Sequence, residues 1–182
     1  MEWNNYNDTT EYAIRWAIFW MCIVINKWKS FEPTQEYLSV VKGLTSIIKL
    51  YQYSQKFKYI AEKGDHWKTP VEFMNDGGGD CEDWARWHVD ILVRIISIEE
   101  ARFVIHSGYD KKRWGNKMMC HAICVFPYQG ELALFSNNLF KTGYKDYIEA
   151  GHYTFPDVLK YMEIKDWQGK VLEKKRKWFG TF

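Results

Sequence analysis

The stretch FMNDGGGDCEDWARW, from Phe73 to Trp87, sets three consecutive glycines and four carboxylates around one cysteine and then runs into aromatic residues at helical spacing. To its left a short helix opens at TPVEFM, with Thr69 as N-cap, Pro70 at N1 and Glu72 closing a capping box at N3, and the glycines end it. To its right Asp80 is the N-cap and Asp83 the N3 residue of a second helix reaching about Ser97, with Ala85, His88, Leu92 and Ile95 on one stripe. Cys81 therefore stands at N1 of a buried helix.

Working outward, residues 10–28 read as a helix that is apolar nearly all round, suited to packing between other elements. After Pro33, placed in a first helical turn, Leu38, Val41, Leu44, Ile48 and Tyr51 recur at helical spacing and predict one amphipathic helix. FKYIAEKGD breaks that period at Gly64. Beyond the cysteine helix the pattern becomes strands: RFVIHSGY, MMCHAICVF and ELALFSNNLF, with YQG joining the last two. Phe155 to Met162 reads as a short helix and KVLEKKRKWF as a final strand. Helices first and strands later define an α+β fold, with N-terminal helices, among them the cysteine-bearing one, packed on a C-terminal antiparallel sheet. One domain over 1–182 is expected: a helical part at 1–56, the chemical motifs at 57–140, and sheet or edge elements at 141–182.

Composition narrows the function classes. With 47% hydrophobic and 26% charged residues the chain reads as soluble and globular, and 18% aromatic content, including ten Trp and twelve Tyr, is high. A formal charge of +2 supplies no field for nucleic acid, and the basic run Lys174 to Lys177 reads as a solvated edge. Cys22, Cys81, Cys120 and Cys124 are too sparse for a disulfide scaffold and, with no cleavable signal, point to a reducing, cytoplasmic setting in the producing or a host cell. WAIFWMCIVI, from Trp16 to Ile25, is too short to span a bilayer, so no membrane is expected; envelope anchoring is the alternative.

A nucleophilic thiol needs thiolate character, which a helix N-terminus favours, whereas Asp80, Glu82 and Asp83 oppose a second negative charge on sulfur. A histidine must supply the missing activation. His88 lies seven residues along the same helix, roughly 10.5 Å away at ~1.5 Å per residue, and is a core histidine instead. His66 and His152 sit in polar loops, and His106 ends a strand. His121 interrupts the apolar strand MMCHAICVF, where a ring needs a partner. A three-residue loop, Tyr128, Gln129 and Gly130, would set Pro127 opposite Glu131 and His121 opposite Asn137; a bulge or a different loop would substitute Ser136 or Asn138. Cys, His and amide on helix, strand and next strand form the constellation of Cys–His–Asn acyl-transfer chemistry.

Metal readings of the same residues fail. In CHAIC, strand alternation sends Cys120 and Cys124 to one face and His121 to the other, against a zinc site. DGGGDCED places Gly78 and Cys81 where a calcium loop needs a ligand and its turning glycine. No metal or cofactor is expected.

WKTPVEFMNDGGGDCEDWA, CHAICVF and LFSNNLF, in this order across about residues 57–140, resemble the transglutaminase-like cysteine proteinases of bacteria and their phages. The resemblance implies a papain-like fold, with Cys81 as nucleophile, His121 as base and general acid, and Asn137 as third member. Asn137 departs from the family's Asp, and an amide orients the ring without balancing imidazolium charge. A peptide or carboxamide substrate and a Cys81 thioacyl-enzyme follow from it. The Cys81 N–H would hold the oxyanion, with Asp80 and Trp67 as oxyanion or substrate-positioning residues, and the glycines would leave room for an extended substrate. The alternative is a catalytically degenerate papain-like fold that binds proteins.

Overall fold

The computed structural model describes residues 28–61, 66–115 and 118–176. The expected helix at 10–28 and the apolar segment 16–25 lie outside them, Trp28 excepted. Where one helix was expected after Pro33 there are two, α1 (Gln35–Val41) and α2 (Ile47–Ser54). Thr34 caps the first and Ser46 the second, so Pro33 precedes the cap instead of entering the first turn. The new cap resets the helical phase. Ile47 and Leu50 become the buried apolar residues of α2, while Ile48 is 64% exposed and Tyr51 37%.

α3 (Pro70–Asn75) carries the expected capping box: Glu72 N–H donates to Thr69 Oγ1 at 3.2 Å and Thr69 N–H to Glu72 Oε2 at 2.6 Å. Gly77 follows at φ +74°, the left-handed step that lets the chain leave the helix. A two-residue strand, β1 (Lys58–Tyr59), then pairs in parallel with β2 (Gly78–Gly79). This ladder has no hydrophobic period and left no sign in the sequence. α4 (Cys81–Arg94) begins as read and is capped at Ile95, before Ser97, which sits at φ +65°.

The remaining strands are β3 (Arg102–Tyr109), β4 (Met119–Tyr128), β5 (Glu131–Ser136), β6 (Leu139–Tyr144), β7 (Val158–Lys165) and β8 (Val171–Arg176). They form an antiparallel sheet in the order β6-β5-β4-β3-β7-β8. Two expectations change here. ELALFSNNLF is two strands, folded at Asn137 and Asn138, because Asn137 takes φ +50°, a conformation that asparagine tolerates. The helix expected at Phe155 to Met162 is replaced by β7, since a short apolar run buried on both faces reads alike in either period, and its place between β3 and β8 decides it. The nearby helices are α5 (Lys111–Trp114) and α6 (Tyr147–His152).

Alternation divides the sheet between two cores. On one face Phe103, Ile105, Ala122, Cys124, Phe126, Ala133 and Phe135 meet α4 and the aromatic residues Phe73, Trp84 and Trp87. On the other, Val104, Ile123, Val125 and Leu134 meet Ala150 of α6 and Phe155. The α+β architecture, with helices laid on an antiparallel C-terminal sheet, is thus the one read from the sequence.

Candidate active site

Cys81 occupies N1 of α4 behind the Asp80 cap. Asp83, 1% exposed, fixes this helix start from both sides: Lys68 N–H donates to Oδ1 at 2.7 Å and Asp80 N–H to Oδ2 at 3.2 Å. The two glycines before the cap hold the approach. A Cβ on Gly78, whose φ is +141°, would lie 2.0 Å from the Lys58 carbonyl oxygen, and one on Gly79 would lie 2.3 Å from Asp83 Oδ2. The space that glycine opens here is filled by β1 and Asp83, not left to an extended ligand.

The Cys81 thiol donates to Glu82 Oε2 at 3.1 Å, and its sulfur accepts from the Ala122 backbone N–H of β4. Burial, then the Glu82 charge, push the thiol well above its ordinary value, and the Ala122 N–H only partly opposes them. Tyr59 of β1 shares this environment. Partial burial and the nearby Cys81 and acidic residues push its phenol up to about 12.

His121 is the residue before Ala122, so the expected strand does reach the thiol. Its side chain has other partners. The β4–β5 connection is a two-residue turn, Gln129 at φ +54° and Gly130 at φ +86°, pairing Tyr128 with Glu131. The expected three-residue loop with Pro127 opposite Glu131 does not form, because both turn residues take the left-handed geometry of the tighter hairpin. Continued in this register, His121 would fall opposite Asn138, and its Nε2 instead reaches back diagonally to Ser136 Oγ, a 2.8 Å hydrogen bond; Ser136 and Asn138 were the two alternatives to Asn137. Its ring lies across the ladder from His106, centroids 5.8 Å apart at 84°. Alternation puts Ala122 and Cys124 toward α4 and His121 toward the α6 side, as expected when zinc was set aside. Burial, then Arg113, lower the His121 pKa to about 4.

Asn137 lies in the β5–β6 turn, its Oδ1 buried with no hydrogen-bond partner among the described residues. Asn138 O accepts from Nε2 of Gln55, the C-cap of α2, at 2.8 Å. Trp67 is buried against Phe103, ring centroids 5.5 Å apart, with Lys165 Nζ 5.0 Å from its ring centre. The structure therefore brings Cys81, Glu82, Tyr59 and the β4 main chain together, and separately His121, Ser136 and His106. Glu82 was legible only as one of three opposing charges, and Tyr59 carried no signal.

The other sequence readings can be placed as well. His88 is fully buried, stacked on Phe135 at 4.2 Å, and burial lowers its pKa to about 3. His66 is half exposed, 3.9 Å from Glu72. His152 Nδ1 makes a 3.1 Å hydrogen bond with Phe155 O. In the basic run Lys174 pairs with the buried Glu163 at 2.8 Å, and Lys175 with Glu173 at 3.1 Å. Among the described residues no group of three or more His, Cys, Asp or Glu could hold a metal ion, and no helix is long and apolar enough to cross a membrane.

No protein-family model matches the chain, and no curated relative matches it in sequence. Solved structures of Legionella pneumophila LapG are similar to it in part. The calcium-bound form is 18% identical with a TM-score of 0.46, covering 78% of this chain and 81% of that one. A second LapG structure is 20% identical with a TM-score of 0.42, covering 86% and 77%, and an EGTA-treated one is 20% identical at 0.42, covering 86% and 75%. At this distance the likeness carries no weight for chemistry or ligands.

Proposed function

We propose that the chain is a transglutaminase-like cysteine peptidase, amidase or acyltransferase that forms a thioacyl intermediate on Cys81 with peptide or carboxamide substrates. The observation that carries this reading is the position of the sulfur, at N1 of α4 and against the N–H of the residue next to His121. In attack the sulfur bonds the carbonyl carbon and the thiol proton passes to His121 Nε2, which must first leave Ser136 and turn from the α6 side of β4 toward the sulfur. His121 then returns the proton to the leaving amine, and water or a second amine releases the acyl group. The Cys81 N–H, unpaired in its helix as an N1 group, faces the developing oxyanion. Asn137 orients the ring once it has turned. Asp80 and Trp67 act as positioning residues at the helix start, where Lys68 N–H, next to Trp67, bonds Asp83.

A second reading, a degenerate fold retained for protein binding, is favoured by the Glu82 carboxylate on the thiol and the His121 ring held by Ser136. An electrophilic acyl probe separates the two. The enzyme reading expects acylation at Cys81 that resists free-thiol competition and slows at least about 100-fold in His121→Ala, the usual share of a general base. Equal labelling of both proteins would leave the binding reading standing.

A further inference from the structure

Three carboxylates flank Cys81 in the sequence, and the structure separates their roles. Both oxygens of Asp83 are taken by main-chain N–H groups, and Asp80 sits at the N-cap. Glu82 touches the sulfur, accepting the thiol proton's hydrogen bond at Oε2, 3.1 Å away. From β4 the Ala122 N–H approaches the same sulfur, with His121 the next residue back along the strand; from β1 Tyr59 faces the same acidic group. A helix N-terminus offers a diffuse partial positive charge, whereas Glu82 presents a full charge in contact, so the contact outweighs the helix end. Neither capping nor core packing requires this carboxylate to lie on sulfur, because at N2 it would complement the helix equally well facing water.

We propose that Glu82 is a latch on the thiol: its carboxylate retains the Cys81 proton at rest, and a substrate entering beside the sulfur displaces it before attack. The second half rests on the acyl-transfer reading; the first stands without it. On displacement, and once the His121 ring has left Ser136 and turned to the sulfur, the thiol proton goes to that neutral ring as the S–C bond forms and the carbonyl π pair moves to oxygen, so no other reactant is needed.

Iodoacetamide alkylation of the full chain, followed at the Cys81 peptide by mass spectrometry across pH, tests the latch. Glu82→Gln keeps the length and the hydrogen-bond acceptor and removes the charge. Its midpoint is expected at least about one pH unit below wild type. Each unit raises thiolate tenfold and lowers its nucleophilicity about threefold, so the rate at pH 7 rises roughly threefold. Glu82→Asp, one methylene shorter, is expected between the two and serves if the Gln variant melts abnormally. An unchanged or higher midpoint in both variants overturns the latch. Running the acyl probe on the same samples keeps the two proposals apart. Faster alkylation without acylation upholds the latch and ends the enzyme reading; acylation with unchanged alkylation does the reverse.

Discussion

At neutral pH both members of the expected pair are uncharged in the resting molecule. Cys81 keeps its proton because burial and Glu82 penalise thiolate, and His121 stays neutral because burial and Arg113 penalise imidazolium. The pair that does form is His121 with Ser136. Ser136→Ala leaves the partly buried ring without that partner and is expected to cost about 1 kcal/mol, read as a lower urea midpoint at constant slope. A change within error would mean that water replaces the hydroxyl. At this scale residue identities were legible and partners were not. The sequence named Cys81, His121 and the alternatives Asn137, Ser136 and Asn138, but loop length only moves the opposite position from Asn137 to Asn138, and the ring's diagonal reach to Ser136 is set by packing.

Among the elements, legibility follows how local the physics is. The capping box of α3 and the start of α4 were readable because each cap needs only four consecutive residues. The split of α1 from α2, the turn at Asn137 and the strand β7 were not, since each is settled by what packs alongside. The β1–β2 ladder is the extreme case: two residues against two glycines, with nothing periodic to see. Gly78→Ala is expected to break it, because the Cβ would meet the Lys58 carbonyl and φ +141° strains any L side chain. We expect a loss of at least about 2 kcal/mol and faster tryptic cleavage after Lys58 under native conditions. Wild-type cleavage kinetics would show that β1 is held elsewhere.

For the whole molecule, two cores share one sheet and both enclose neutral imidazoles. His88 and His106 are fully buried with pKa values lowered by burial, below the ~6.5 of an unfolded chain. As pH falls through that value the unfolded chain takes up protons that the native protein refuses. Stability therefore falls, by about 1 kcal/mol per pH unit for each ring, until the folded values are reached. The partly exposed His121 adds less. Glu82 and Asp90, raised by burial, bind protons earlier in the folded state and offset part of the loss. His88→Phe keeps the stack on Phe135 and removes one titrating ring. Urea midpoints from pH 8 to 4.5 are expected to fall less steeply in this variant, with stability near pH 8 within about 1.5 kcal/mol of wild type. Parallel profiles would show that His88 does not carry its share.

The sequence by itself determined the α+β order, the helix that presents Cys81 and the strand whose main chain meets it at Ala122, because caps and hydrophobic alternation act over a few residues. Only the tertiary structure decided that Glu82 rests on the sulfur, that β1 fills the space above the glycines and that the His121 ring joins Ser136 on the opposite face. The last of these hangs on strand register. A shift of one residue in a two-fold pleat exchanges every side chain between the faces, and that choice belongs to the packed sheet as a whole.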